Sequence, residues 1–387
     1  MRFIAGPRQS GKTTLAKMKL KSEGDSRLYY LWDLREVRER YKTQELFFTS
    51  DRPPEKGRKH WVCFDEIHKL PRWKNILKGI FDGSEADYQL IVTGSSKLDI
   101  FRGAGDSLSG RYLNFHLFPV SFKEVTGRSL LDLKEYATAR DFVLTRLNDR
   151  GTQQDRLDHL LRFSGFPEPL VAASDRFQRK WSQAYLDRVI TEDIGMLTRI
   201  VDREKLHDLY HLLPEMIGSP LSENSLASHL ESSPVTIKNY LKRLADFYLV
   251  FRVAPYSRNI KRGLLKAAKW YLYDWTRIEN PAFRFENYLA VELSSRLHAL
   301  SDLSGERFDL RYVRDKEKNE TDFLLLRGGK PWLLVEAKIS DGSIASHHFS
   351  HARALGDVPI VQVCYEPGVA SQHAKHAYRI SANRFLA

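Results

Sequence analysis

Cysteine is scarce: 387 residues contain two, Cys63 and Cys364. Both lie in apolar runs far apart in the sequence and read as small buried hydrophobes, which fits a reducing cytoplasm and argues against a disulfide-held scaffold. No apolar run is long enough to span a bilayer, so a transmembrane helix and a membrane partner are not expected. The N-terminus passes straight from Met1-Arg2 into an apolar strand, which is expected to leave no room for a signal peptide. Low-complexity tracts and internal repeats are missing too. Acidic residues are outnumbered, 49 Asp and Glu against 61 Lys and Arg, giving a net charge of +12 and a pI near 9.5. That balance favours a polyanionic partner such as nucleic acid, the alternative being a merely soluble basic protein. A hydrophobic share of 42% is ordinary for a globular chain, and the length suits two to four domains.

What is present starts at once. Phe3-Ile4-Ala5 runs into Gly6-Pro7-Arg8-Gln9-Ser10-Gly11-Lys12-Thr13-Thr14, a complete phosphate-binding loop between a strand and a helix expected from about Leu15. The glycines let backbone N–H groups turn inward, the helix N-terminus adds partial positive charge, Lys12 reaches the β- and γ-phosphates, and Thr13 is placed for Mg²⁺. The protein is therefore expected to bind ATP or GTP. Strands are read at Leu28–Leu31 and Trp61–Glu66. At the end of the second, Asp65 is expected to hold Mg²⁺ through water and Glu66 to orient the attacking water. A further strand, Tyr88–Ser96, ends in Thr93-Gly94-Ser95-Ser96, where Thr93 or Ser95 either senses the γ-phosphate or caps the next helix. Arg111, after Ser107-Leu108-Ser109-Gly110, is either a finger toward the γ-phosphate of a neighbouring subunit or a solvated arginine.

Gly-Pro-Arg-Gln-x-Gly-Lys-Thr-Thr, the strand ending Asp65-Glu66, the Thr93–Ser96 turn, Ser-Leu-x-Gly-Arg before Phe118-Pro119-Val120-Ser121-Phe122, and Gly165-Phe166-Pro167-Glu168-Pro169 occur in this order. Together they resemble the predicted AAA+ ATPases of archaea and bacteria, in which the ATPase is joined to a winged helix and a C-terminal nuclease-like domain. The resemblance implies that Lys12 and Thr13 bind phosphate and Mg²⁺, Asp65 and Glu66 are the metal and catalytic carboxylates, Ser95 or Ser96 is the sensor, and Arg111 is the finger. It also implies a homo-oligomeric ring, a hexamer being one such size, and branched DNA as the substrate.

From Leu130 to Ile200 apolar residues recur at helical spacing, broken at Gly165-Phe166-Pro167, which reads as a helical lid. Leu221–Leu230 and Val235–Leu244 read as two helices joined by Ser232-Ser233-Pro234. The second buries Ile237, Tyr240, Leu241 and Leu244 and turns Thr236, Lys238, Asn239, Lys242 and Arg243 outward, which is helix-turn-helix geometry. A strand at Leu249–Val253 and a basic run, Arg258, Lys261, Arg262, Lys266 and Lys269, supply a wing. DNA binding is the functional reading, and a protein-protein spacer the alternative.

In the last segment Glu286 interrupts a mostly apolar helix, Phe283–Leu293, and a buried carboxylate without a partner is costly. Glu336 and Lys338 lie two apart on a strand, and Asp322 heads its hairpin partner across the Gly328-Gly329 turn. Two carboxylates and a lysine at one spot suit metal-assisted phosphodiester hydrolysis with Mg²⁺ or Mn²⁺. The arrangement resembles the restriction-endonuclease-like fold of the PD-(D/E)XK type, in which a helix carboxylate such as Glu286 completes the metal site; retention of the fold without cutting is the alternative. His347, His348 and His351 are read as a solvated face or as metal ligands.

The expected architecture is thus α/β in four parts: a P-loop AAA+ parallel-sheet core over 1–128, a helical lid over 129–200, a winged helix over 201–262 and a restriction-endonuclease-like α/β domain over 263–387. The expected function is a cytoplasmic Mg²⁺-dependent ATPase that remodels DNA as an oligomer. A nucleotide-gated defence or signalling switch and a non-catalytic DNA-binding regulator are the alternatives.

Overall fold

The structure, a computed structural model, describes residues 1–94, 108, 110–128, 138–195, 202–257 and 267–387. The chain divides into two compact units.

The first gathers the described residues of Met1–Phe118, Thr191–Arg199 and Asp246–Tyr248. Its sheet has five strands: β1 (Arg2–Ala5), β2 (Tyr29–Leu31), β3 (His60–Asp65), β4 (Tyr88–Gly94) and β5 (Leu113–His116). All neighbours pair in parallel in the order β2-β3-β4-β1-β5. Strands covered on both faces need apolar residues throughout, and β3 is buried at all six positions. Its alternation splits the core: Val62 and Phe64 face a large aromatic cluster with Phe3, Tyr30, Trp32, Phe47 and Trp73, whereas Trp61 and Cys63 meet Ala16 and Leu20 of the helix Lys12–Ser22. Because parallel strands share one direction, the C-terminal ends of β1, β3 and β4 collect the phosphate loop, Asp65-Glu66 and Thr93-Gly94 on one edge. The helix Trp73–Ser84, which the sequence reading had missed, supplies Leu77 and Ile80 to the large cluster.

The second unit comprises the described residues of Pro119–Ile190, Ile200–Ala245 and Leu249–Ala387. Its sheet has eight strands: β6 (Val250–Pro255), β7 (Lys269–Leu272), β8 (Phe308–Arg314), β9 (Glu320–Arg327), β10 (Lys330–Lys338), β11 (Ile360–Cys364), β12 (Ala370–Ala374) and β13 (Ala377–Ser381), in the order β12-β13-β11-β10-β9-β8-β6-β7. The expected hairpin at Gly328-Gly329 is present, with left-handed φ values of 56° and 76°. The expected division at 262/263 falls between β6 and β7, which pair with each other in one sheet.

The helix Pro281–Ser304 starts with Asn280 capping the amides of Ala282 and Phe283 and ends at left-handed Gly305. Eleven of its residues are buried, among them Glu286, Asn287 and Glu292, and these three side chains have partners. Asn287 takes both backbone groups of Leu272, at 2.8 and 2.7 Å, and Glu292 accepts from the Phe122 amide and the Tyr288 hydroxyl, both at 2.8 Å. Four helices between Ala139 and Arg188 fill the expected helical middle. Gly165 stands where a Cβ would meet the Val120 carbonyl at 2.7 Å and the Trp275 ring at 2.8 Å. Gly165→Ala is therefore expected to cost ~1–3 kcal/mol of stability by overpacking. Gly342→Ala, where a Cβ meets nothing within 4 Å, should cost far less when both are measured by urea unfolding.

Candidate functional site

The phosphate loop is shaped by its glycines. A Cβ on Gly6 would lie 2.0 Å from the Leu117 carbonyl, and Gly11 enters the helix with φ of 99°. The helix begins at Lys12, three residues earlier than read from the sequence, so its first turn and open amides belong to the loop itself. Lys12 is 6% exposed and donates to the loop's own carbonyls, Gly6 O at 3.0 Å and Pro7 O at 2.5 Å. Burial, only partly offset by Glu66, Asp65 and Asp193, pulls its ammonium down to about 8. The Ser10 hydroxyl is buried with no hydrogen-bond partner, a polar group that a phosphate oxygen would satisfy.

Asp65, 3% exposed, is the hub on which these elements meet. Its Oδ2 accepts from the hydroxyls of Thr13 at 2.8 Å and Tyr29 at 2.5 Å, and its Oδ1 accepts from the Thr93 hydroxyl. Glu66 follows with a left-handed φ of 60°, a conformation uncommon for a non-glycine residue and found preferentially at functional positions. Its Oε2 lies 3.4 Å from Lys69 and 3.7 Å from the buried His68, whose protonation burial disfavours. Arg8, in the middle of the loop, pairs at 2.9 Å with both Glu192 and Asp193. Those two residues lie in the π-helical turn Val189–Ile194, a type of irregularity frequent at functional sites.

Thr13, Asp65, Glu66 and Thr93 are thus brought together with the loop. Ser95 lies outside the described residues. Arg111 presents its guanidinium fork to Asp82, at 2.8 and 3.3 Å, and would have to leave that carboxylate to act elsewhere. Tyr29 as a ligand of Asp65, and the acidic pair facing Arg8, escaped the sequence reading.

In the second unit the structure assembles the other expected group. Asp322 accepts from the Ala337 amide at 3.1 Å, Glu336 accepts from the Asp322 amide at 3.2 Å, and Lys338 donates to Glu336 at 2.8 Å. Glu286 accepts from the Tyr271 hydroxyl at 2.8 Å. Lys269 corrects an expectation: read as part of a basic wing, it is 1% exposed and lies among Asp322, Glu286 and Glu320, at 3.0, 3.2 and 3.4 Å. Its place at the head of an apolar strand was the missed signal. Burial first, then the charge of Asp322, pushes Glu336 up to about 8 and Glu286 up to about 7. The histidines form no solvated face: His348 and His351 are buried against the Thr321 hydroxyl, at 2.7 and 2.9 Å.

On the helix Pro234–Asp246, Ile237, Tyr240, Leu241 and Leu244 are buried and Lys238, Asn239 and Lys242 are exposed, with Arg243 partly so. Arg258, Lys261 and Arg262 lie outside the described residues.

Residues 1–126 match a family described as an AAA domain. The first third of the chain is AAA-like. Residues 154–276 match a domain of unknown function. Among curated relatives, an uncharacterized protein of Methanocaldococcus jannaschii is 24% identical over 314 residues, 78% of this chain and 66% of that one. An uncharacterized protein of Mycobacterium tuberculosis is 22% identical over 384 residues, 93% of this chain and 75% of that one. The chain thus spans 66% and 75% of the length of these two relatives. A solved structure, the DNA clamp loader delta protein of Bacillus subtilis, aligns with 78% of this chain and 95% of its own at 10% identity and a TM-score of 0.28, too low to carry an argument. No described helix is long and apolar enough to cross a membrane.

A pH dependence follows from Glu336. Its folded value of about 8 exceeds the ~4.3 of an exposed glutamate, so the folded state binds the proton more tightly. The stability this group contributes is fully present below about pH 4 and is lost as pH rises through about 8. Glu336→Gln should flatten the fall in Tm between about pH 5 and pH 9, as followed by calorimetry; an unchanged slope would contradict the assignment.

Proposed function

We propose that the protein is a Mg²⁺-dependent ATPase that binds DNA, branched or junction DNA first, and couples hydrolysis to remodelling that DNA as a homo-oligomer. The observation that carries this reading is the convergence of Lys12, Thr13 and Asp65 at the C-terminal ends of parallel strands. The donor set fits Mg²⁺ and a triphosphate: a hydroxyl already on a buried carboxylate, open helix amides and, among the described residues, an unpartnered Ser10 hydroxyl and a lysine hydrogen-bonded to loop carbonyls. Bound Mg²⁺ would neutralise charge on the β- and γ-phosphate oxygens, with Thr13 and Asp65 holding it. Lys12 would exchange the Gly6 and Pro7 carbonyls for phosphate oxygens, the loop amides would bind the phosphates, and Glu66 would orient the attacking water and take its proton. Thr93 holds Asp65 in place. In a ring, Arg111 would be released from Asp82 to act on a neighbour's γ-phosphate.

DNA binding is supported by the net charge of +12 and the exposed Lys238, Asn239 and Lys242 on a helix whose other side is buried. The preceding helix Glu223–His229 and the antiparallel β6–β7 pair are read as the other parts of a winged helix. The last segment is read as a restriction-endonuclease-like fold from the Asp322, Glu336 and Lys338 grouping.

A second reading, a nucleotide-gated switch, is favoured by Arg8. Its two ion pairs with Glu192 and Asp193 tie the loop to the π-helical turn, and a phosphate competing for Arg8 would loosen that tie. Slow turnover with tightly held nucleotide would favour the switch, and turnover stimulated by DNA the motor.

Glu66→Gln should lower ATP turnover by ~10²–10⁴-fold with ATP affinity retained, whereas Lys12→Ala should lose both, as read by phosphate release and calorimetry. Replacing Lys238 and Lys242 with alanine should weaken binding to every DNA sequence and reduce the salt slope by ~2, measured by fluorescence anisotropy across a salt series. Turnover indifferent to every DNA offered would overturn the motor.

A further inference from the structure

The carboxylate cluster of the second unit does not fit the divalent ion that its Asp322, Glu336 and Lys338 pattern implies. A hard divalent cation needs about six oxygen ligands with free lone pairs. Here most of those oxygens already face a protein donor. Asp322 gives Oδ1 to Lys269 and Oδ2 to the Ala337 amide. Glu336 gives Oε1 to Lys338 and Oε2 to the Asp322 amide. Glu286 gives Oε1 to both Lys269 and the Tyr271 hydroxyl, and Glu320 faces Lys269 and Arg314. Among the described residues no group of three or more His, Cys, Asp and Glu side chains is spaced to hold a metal ion.

We infer that Lys269 is the permanent cation of this cluster, its buried ammonium filling from within the chain the position a catalytic divalent ion would take. Three carboxylates lie within 3.4 Å of its Nζ, and the side chain is 1% exposed. The charges agree. Asp322, Glu286, Glu320 and Glu336 carry four negative charges against three positive ones on Lys269, Lys338 and Arg314. One surplus negative charge remains. A buried ion held this way is costly to leave unpaired, so removing the lysine exposes a strong demand for another cation. The cluster then acts as a structural tie joining β7, the helix Pro281–Ser304, β9 and β10, and it cleaves no phosphodiester. This inference stands apart from the ATPase reading, since it involves no residue of the phosphate loop.

The test is Mn²⁺ binding to nucleotide-free full-length protein, followed by the electron paramagnetic resonance signal of free Mn²⁺. Wild type and Asp322→Asn should bind the same amount of Mn²⁺, any weak binding at the phosphate loop being common to both. Lys269→Met, which keeps side-chain length without charge, should gain one site bound ~tenfold or more tighter than any in wild type, and Asp322→Asn in that background should remove it. A wild-type site lost in Asp322→Asn would overturn the inference, as would a folded Lys269→Met that gains no site. If Lys269→Met does not fold, the comparison of wild type with Asp322→Asn decides alone.

Discussion

A single buried carboxylate organises the first unit. Asp65 sits at the end of the most buried strand and meets no fixed cation within salt-bridge distance among the described residues; three hydroxyls, from Thr13, Tyr29 and Thr93, satisfy it instead. Those hydroxyls come from the loop helix, β2 and β4, so one side chain draws together the elements that carry the phosphate loop and its neighbours. Hydrogen bonds to a charged group are about twice as strong as neutral ones, and they strengthen further where water is excluded. Neutral donors can also yield: a hydroxyl can turn its proton aside and offer a lone pair to a metal, which a lysine cannot do.

The second unit solves the same problem the opposite way. Its buried carboxylates meet Lys269, an ammonium with three donors and no acceptor, and that choice fixes the cluster. The contrast is physical rather than a matter of motif. Asp65 is buried and Asp322 half-buried, both bonded beside a lysine-containing pattern, yet one is surrounded by groups that can rearrange around a cation and the other by the cation itself. Retention of a nuclease-like pattern is therefore compatible with loss of the metal, because the pattern names the carboxylates and not what neutralises them.

Much of the first unit was legible in the sequence because its chemistry is local. The loop spacing fixes backbone turns, and a carboxylate that closes a six-residue strand after four apolar residues must lie at the sheet edge. The basic outer side of the helix Pro234–Asp246 was likewise readable from its 3.6-residue period. What was not legible depended on long-range placement. Tyr29 precedes Asp65 by 36 positions, Glu192 and Asp193 follow Arg8 by more than 180, and Lys269 looked like one more member of a basic run until β7 paired with β6. Strands β11 to β13 were missed because they are short and β12 is mostly exposed, so they lack a strong alternating pattern.

In the proposed ATPase, Lys12 waits in a buried, loop-bonded state from which a triphosphate would draw it. With its ammonium pulled down to about 8, a large share of Lys12 is neutral near that pH, and phosphate oxygens would restore the proton. Titration calorimetry of Mg²⁺ and ATP into the protein at about pH 8, in buffers of different ionisation enthalpy, tests this directly. Proton uptake on binding at about pH 8 that falls away at about pH 6, where Lys12 is already charged, is the expected result. Binding with no proton uptake at about pH 8, or with the same uptake at both pH values, would contradict it.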